Sequence, residues 1–367
     1  MADRIYKIFV INLGSTSTKV AYYENETCVV RDSITHDPTE LAQFPTVFDQ
    51  KDLREKTICA WLDEHGISFD DLDAFVTRGP QTEPVSGGVY ELTPAMAKQG
   101  FSGEYGTHVC SVGSAIALDL TSGRSALPLT VDTPSTDEFG PLARYSGLPA
   151  IERKSHFQAL NSRATAQAYA ASQGRRYDEM RLVVVMLGGG VTCVAHDHGR
   201  MVDGTDGLEG DGCFSNNRCN GVPVGDLVRL CYSGQYDEAG MMHLVNGGSG
   251  LYGYLGTTDT REVEARIAAG DEKAREVYEA MCYQISKDVA GMATVLEGDV
   301  DAILLTGGMA NSEFVTGEIK RRCGFIAPIV IMAGEREMES LALNSLAALR
   351  GEQPIQHFVP SEPERWA

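Results

Sequence analysis

Residues 11–24 read I-N-L-G-S-T-S-T-K-V-A-Y-Y-E. Between two apolar flanks stand a glycine and five side chains that hydrogen-bond or carry charge: Ser15, Thr16, Ser17, Thr18 and Lys19. Small-residue turns at strand ends let backbone N–H groups approach an anion, because glycine has no Cβ in the way. Two further loops share this character, L-G-G-G-V-T at 187–192 and L-L-T-G-G-M-A-N-S at 304–312. The third ends a strand pattern and opens a helical one, with Asn311 or Ser312 as N-cap, which suits a ligand at a helix N-terminus. One such turn is ordinary hairpin punctuation; three of them after strands point to nucleotide phosphate. The chemistry is not that of the standard fingerprints. G-S-T-S-T-K lacks the second glycine of G-x-x-x-x-G-K-[ST], and no G-x-G-x-x-G follows a strand.

The elements that must position these loops form a repeat. R-L-V-V-V-M-L-G-G-G-V-T-C-V-A-H-D-H-G-R-M-V-D, residues 181–203, has the plan of the opening stretch: apolar strand, small-residue turn, second strand, polar turn, short third strand. The two copies lie close to half a chain apart, and their tips are expected to face one another across a cleft and grip a triphosphate from both sides. Beyond them the pattern is mixed α/β. Strand candidates are 74–76, 128–131, 302–305 and 329–331; helical candidates are 111–120, 162–172, 271–296 and 340–350. The tail 351–367, with three prolines, reads as irregular.

A chain of 367 residues exceeds the usual size of a single core. We expect two domains, 1–160 with the first loop and 161–367 with the second and third. A net charge of −20 with no basic tract excludes nucleic acid and anionic membranes as partners. It also requires any anion site to be built locally. No apolar run is long enough to span a bilayer, and M-A-D-R-I-Y-K-I lacks the shape of a signal peptide; the expected location is cytoplasmic. The nine cysteines form no C-x-x-C pair and read as free thiols, with Cys213 and Cys219 packed. His196 and His198 in A-H-D-H-G alternate as on an exposed hairpin and read as surface residues.

The series of segments resembles the acetate kinase and butyrate kinase family, within the superfamily that includes actin and the sugar kinases. I-N-x-G-S-T-S-T-K looks like its first phosphate loop. V-T-R-G-P, G-G-V-Y, H-V-C-S-V-G-S-A-I-A, L-T-V-D-T-P, F-S-N-N-R-C-N-G-V-P-V-G-D-L, G-G-S-G-L-Y-G-Y-L-G-T-T-D, L-T-G-G-M-A and G-E-R-E-M-E-S-L-A follow in family order, and the butyrate kinase branch fits best. The resemblance implies a duplicated actin-like (ribonuclease H-like) α/β fold. The implied reaction is reversible phosphoryl transfer between ATP and a short- or branched-chain carboxylate, with Mg²⁺, giving acyl phosphate and ADP. It also implies a homodimer, paired through the C-terminal halves.

A carboxylate attacking a γ-phosphate brings two anions together, so such a site needs fixed positive charge more than a base. By resemblance, Arg78 is assigned to the carboxylate and incoming phosphoryl, and Arg218 to the transition-state charge; arginine's planar fork binds two oxygens at once. Asp132 and Glu337 resemble the acids near the metal, with Glu335 a competitor to Glu337 and a turn cap the alternative for Asp132. Asn12, Ser15, Ser17 and Lys19 are expected to bind phosphate and metal-bound water. Gly188, Gly189 and Gly190 form the second loop, Gly307 and Gly308 the adenosine contact, and His108 matches a histidine of the pattern. Departures stand at Gln158 and Met186, where relatives carry histidine, at Leu13 for a proline and at Pro80 for a glycine. Gln158 can still donate a hydrogen bond without charge, and His156 stands two residues away to compensate. The competing readings are a nucleotide-binding relative with weak or lost turnover and a kinase of a different small acid.

Overall fold

The computed structural model describes residues 4–366; positions 1–3 and 367, the ends of the two expected domains, lie outside them. Strands follow in chain order as β1 (Lys7–Leu13), β2 (Ser17–Glu24), β3 (Thr27–Thr35), β4 (Ala74–Thr77), β5 (Val89–Glu91) and β6 (Leu127–Val131). The second series is β7 (Arg181–Leu187), β8 (Val191–Asp197), β9 (Arg200–Gly204), β10 (Ala302–Gly307) and β11 (Ile329–Ala333), before a late β12 (Ile355–His357). The chain divides into two compact units, 1–137 with 336–367, and 138–335.

The expected repeat is a repeat of topology. In the first sheet the order is β12-β5-β6-β4-β1-β2-β3, and in the second β11-β10-β7-β8-β9. Each contains the same five-strand set: a meander of three antiparallel strands whose first member pairs in parallel with a later strand, which pairs in parallel with another. A two-residue periodicity fixes the faces. In β1, Phe9, Ile11 and Leu13 join Ile58, Trp61 and Leu62 of the helix Lys51–Glu64 and Val112 and Ile116 of the helix Cys110–Thr121. Phe9 meets Phe75 edge-on with centroids 5.2 Å apart. In β7, Val183, Val185 and Leu187 pack with Val277, Met281 and Ile285 of the helix Glu272–Val295. Leu182 and Val184, on the other face, pack with Ala166 and Ala170 of the helix Ala159–Ser172.

Three expectations change. The division falls at 137/138 and the chain returns to the first unit at 336, because the helix Glu337–Leu349 lies on β1, β4 and β6 and β12 adds in parallel to β5. Contiguous sequence halves cannot express a segment that crosses back. For the same reason the tail is not wholly irregular: its β12 hydrogen-bonds to an available sheet edge, and a short helix follows at Pro363–Trp366. His196, expected on the surface, is fully buried. Its position opposite Leu182 turns it toward the helix Ala159–Ser172, where Ser162 Oγ lies 2.8 Å from Nε2 and Tyr177 Oη 2.7 Å from Nδ1. Burial, with help from Arg163, lowers its pKa to about 3, so it is a neutral structural group. His198 is exposed, Cys213 is buried, Cys219 is half-buried, and all nine cysteines are free thiols.

Candidate functional site

The first unit gathers its candidate residues at the carboxyl ends of β1, β4 and β6, the usual place for a ligand in an open α/β sheet. Asn12 precedes the first glycine turn and is 4% exposed. It alternates with Ile11 and Leu13 and so faces away from their cluster, toward the start of the helix Glu337–Leu349. There its Nδ2 donates to Glu337 Oε2 at 2.6 Å. Lys19 sits directly opposite Asn12 in the β1–β2 ladder, which places both on one face. Ser15 is exposed and Ser17 half-buried at the tip, where Gly14 N–H closes the turn on Ser17 O at 2.8 Å.

Arg78 follows β4 and brings Nη1 within 3.8 Å of Glu337 Oε1. Glu337 thus joins Asn12 and Arg78, at the first position of its helix, where the helix N-terminus favours a carboxylate. Of the two competing acids, Glu337 is the one buried in this group; Glu335 is exposed and belongs to the other unit. His108 Nδ1 accepts from Cys110 N–H at 3.1 Å, which leaves the proton on Nε2. Burial lowers its pKa to about 4, reinforced by the Arg78 and Arg54 guanidiniums. At neutral pH it is an uncharged donor, not a cation.

Asp132 is 2% exposed and adopts φ +41°, a backbone that non-glycine residues rarely hold. Its Oδ1 accepts from Gly88 N–H at 2.9 Å and its own N–H donates to Gly88 O at 3.0 Å. The side chain thus ties the end of β6 to the residue before β5, a contact across the sheet and not the local cap that was the alternative reading. Gly79, beside Arg78, has φ +89°, and a Cβ there would lie 2.2 Å from Thr130 Oγ1.

The second unit builds its own cluster around the β7–β8 tip. Gly188 N–H reaches Gly190 O at 3.3 Å, and Ser215 Oγ donates to Gly189 O at 2.9 Å. Arg218 lies against Gly190 so closely that a Cβ there would be 1.8 Å from Nη1. Its Nη1 donates to Gly207 O at 2.6 Å and its Nε to Asn246 Oδ1 at 3.0 Å. Burial depresses its pKa, against the attraction of Asp206. Gln158, just before the helix Ala159–Ser172, accepts from Thr192 Oγ1 on Oε1 at 2.9 Å, which leaves its amide as the donor end.

His156 is not helical and pairs through Nδ1 with Asp206 Oδ2 at 2.9 Å. That bond raises the pKa of the imidazole against the opposing effect of burial. Gly207 N–H also donates to His156 O. His156 and Arg218 therefore hold the two ends of one dipeptide, Asp206–Gly207. Gly307 takes φ +89° at the end of β10, where a Cβ would meet Leu187 O at 2.4 Å; Gly308 faces open space. Ser312 is the N-cap of the helix Glu313–Cys323, accepting from Val315 N–H.

Sequence reading missed Arg54. Its side chain is fully buried beneath the first tip and donates to Gly14 O, Ser15 O, Ser17 O, Thr18 Oγ1 and Gln50 Oε1. The available signal was its place on the apolar stripe of its helix, four residues before Ile58.

Comparison with known proteins follows this geometry. The model of the acetokinase family matches residues 153–327. A Bacteroides thetaiotaomicron protein described as "Probable butyrate kinase" is 42% identical over 353 residues, covering 96% of this chain and 99% of that relative. Among solved structures, acetate kinase of Porphyromonas gingivalis superposes with a TM-score of 0.76 at 18% identity, over 94% of this chain and 100% of its own. A propionate kinase from Francisella tularensis gives 0.73 at 16%, over 93% and 99%. The duplicated sheet is the actin-like ATPase fold.

Proposed function

Because the chain belongs to the acetokinase family, we propose that it transfers the γ-phosphoryl group of ATP to a short- or branched-chain fatty acid of the butyrate class. The products are acyl phosphate and ADP. At the coarser level it is a carboxylate-phosphorylating kinase that uses ATP/ADP. What supports the finer reading is two half-buried guanidiniums, Arg78 against Glu337 in the first unit and Arg218 against Gly190 in the second, in a chain of net charge −20. A carboxylate nucleophile is ionised at neutral pH and needs no base. What it needs is compensation of the charge that two anions bring together.

The assigned roles follow the sequence reading. Arg78 orients the acid and meets the incoming phosphoryl; His108, neutral, offers Nε2–H as a donor. Arg218 and the amide of Gln158 stabilise charge on the transferring group. Asn12, Ser15, Ser17 and Lys19, with Gly188, Gly189 and Gly190, hold phosphate oxygens, and Gly307 with Gly308 leaves room for the nucleoside.

Asp132, Glu337 and Asn12 fit a magnesium ion, which takes oxygen donors and commonly only one or two carboxylates, with phosphate and water completing its shell. Both acids are buried. Asn12 commits its Nδ2 to Glu337 and so keeps Oδ1 as an acceptor. Among the described residues no cluster of three His, Cys, Asp or Glu side chains could hold a metal by itself. When bound, Mg²⁺ would neutralise phosphate charge. We place the enzyme in solution, without nucleic acid or membrane partners, as a cytoplasmic homodimer; among the described residues no helix is long and apolar enough to cross a membrane.

The test is formation of acyl phosphate, trapped as hydroxamate, from C2 to C6 acids with ATP and Mg²⁺. Product from butyrate or a branched C4–C5 acid is expected to exceed that from acetate. ATP binding without product from any acid would instead support the turnover-deficient reading motivated by Gln158 and Met186.

A further inference from the structure

The guanidinium of Arg54 is completely buried, yet none of its partners is a carboxylate: they are Gln50 Oε1, Thr18 Oγ1 and the carbonyls of Gly14, Ser15 and Ser17, at 2.9 to 3.1 Å. A buried charge is costly to remove from water and is ordinarily matched by an opposite charge. This one is matched only by dipoles, and burial lowers its pKa to about 10, so it remains a cation at neutral pH. The cost is sustained at one place, under the first small-residue tip.

The hydrogen bonds there have a common direction. Arg54 Nη2 binds Gly14 O and Ser15 O; Arg54 Nη1 binds Ser17 O, which also accepts Gly14 N–H. The remaining carbonyl, Thr16 O, accepts from His36 N–H at 2.9 Å. All four carbonyl oxygens of residues 14–17 thus have partners, three of them on the buried Arg54 and one on the neighbouring strand's end. In a trans peptide the C=O of one residue and the N–H of the next point to opposite sides. With the carbonyls of 14 and 15 held by Arg54, the N–H groups of Ser15 and Thr16 point away from it. His36 adds a second clamp, its Nε2 lying 2.8 Å from Thr18 Oγ1, and it is kept neutral by burial and by Arg54 itself.

We propose that Arg54 is the positioning residue of the phosphate loop, holding its carbonyls inward and adding an uncancelled positive charge behind its outward N–H groups, so that the tip binds nucleotide phosphate in a chain that is otherwise strongly anionic. Arg54 touches no reacting atom in this scheme. It acts through the backbone of residues 14–17 and through its field. The inference rests on the nucleotide-binding reading above.

Titration calorimetry of the full chain with ATP, ADP and adenosine tests it. Arg54→Gln is expected to weaken ATP and ADP at least tenfold while leaving adenosine within twofold. Arg54→Lys, which keeps the charge and loses the fork, should fall between. In turnover, KM for ATP should rise in both variants with KM for the acid unchanged. Equal affinities of wild type and Arg54→Gln for ATP would overturn the proposal, and so would a loss shared equally by adenosine, which is general damage to the fold. If Arg54→Gln does not fold, Gln50→Leu takes its place: it removes the acceptor shared by Nε and Nη2, and unchanged ATP affinity in that variant also overturns the proposal. A wild-type chain that binds none of the three ligands refutes nucleotide binding itself, a result distinct from any difference among variants.

Discussion

Gly190→Ala is a one-carbon change whose consequence can be worked from distances. The added Cβ would lie 1.8 Å from Arg218 Nη1, 3.1 Å from its Cζ and 2.9 Å from Gly207 O. Non-bonded carbon contacts sit near 3.5 Å, so the guanidinium must withdraw by roughly 1.5 Å. Withdrawal breaks its 2.6 Å bond to Gly207 O and strains that to Asn246 Oδ1. The fold itself should lose only about 1–3 kcal/mol, the ordinary cost of overpacking. Turnover should lose much more, because misplacing a charge-stabilising donor by 1 Å or more costs on the order of 100-fold, about 3 kcal/mol of barrier. Arg218→Ala should cost a similar factor by deleting the group. The discriminating measurement is the cycle. If Gly190 matters because it admits Arg218, the double variant should be about as slow as Arg218→Ala alone, a coupling of roughly 2–3 kcal/mol. The assay is hydroxamate-trapped acyl phosphate at saturating ATP and acid, with thermal unfolding measured in parallel. Penalties that multiply to about 10⁴, or a Gly190→Ala enzyme within threefold of wild type, would refute the reasoning.

Four further outcomes are expected. Arg78→Ala should lower turnover by 100-fold or more, roughly 3 kcal/mol, in the same assay; a near-normal rate removes Arg78 from the site. Asp132→Asn keeps an acceptor for Gly88 N–H and tolerates the positive φ, so unfolding should barely change while the Mg²⁺ concentration needed for half-maximal rate rises at least tenfold. Asp288 is held near pKa 6 by burial while accepting from Cys213 N–H at 2.7 Å. A carboxyl raised from about 4 makes the folded state lose stability as pH rises from 4 to 6, so Asp288→Asn should stabilise the protein by about 2–3 kcal/mol at pH 7.5 and by little below pH 4, read by urea unfolding. The His156 imidazole, raised by its bond to Asp206, contributes stability that is full below its unfolded pKa near 6.5 and is lost as pH rises through its higher folded value. His156→Gln should flatten that alkaline decline in unfolding free energy.

The parts legible in the sequence were those written in local pattern. Both meanders announced themselves through apolar strands interrupted by small residues, and β4, β6, β10 and β11 through short apolar runs. Ser312 was one of two N-caps the pattern allowed. What was not legible depends on through-space return. The segment from Arg336 onward joins the first unit because its helix covers the face of β1 that carries Asn12, and nothing local in G-E-R-E-M-E says which sheet it will cover. His196 was misread because alternation fixes a face without saying which face is covered; its pairing with Leu182 settles that. Arg54 went unread because a charged residue in K-D-L-R-E-K reads as solvated until its neighbours on the stripe, Ile58 and Leu62, are seen to be fully buried.

The replacement of a family histidine by Gln158 is best judged by charge within the second unit's cluster. Asp206 is held below the usual carboxylate range: burial pushes it up, but the His156 bond and the Leu208 N–H outweigh it. It therefore carries a full negative charge at neutral pH beside Arg218, and alone it would cancel much of the guanidinium's field. His156 opposes that cancellation when protonated, leaving the trio of Asp206, His156 and Arg218 with net charge +1; when neutral, the trio sums to zero. Gln158, tied by Thr192 Oγ1, adds a dipole to this and no charge. A histidine at 158 would supply its positive charge directly. On the proposed reading the histidine two residues earlier takes that part by offsetting an acid, and the net positive charge of the trio then depends on this imidazole remaining protonated.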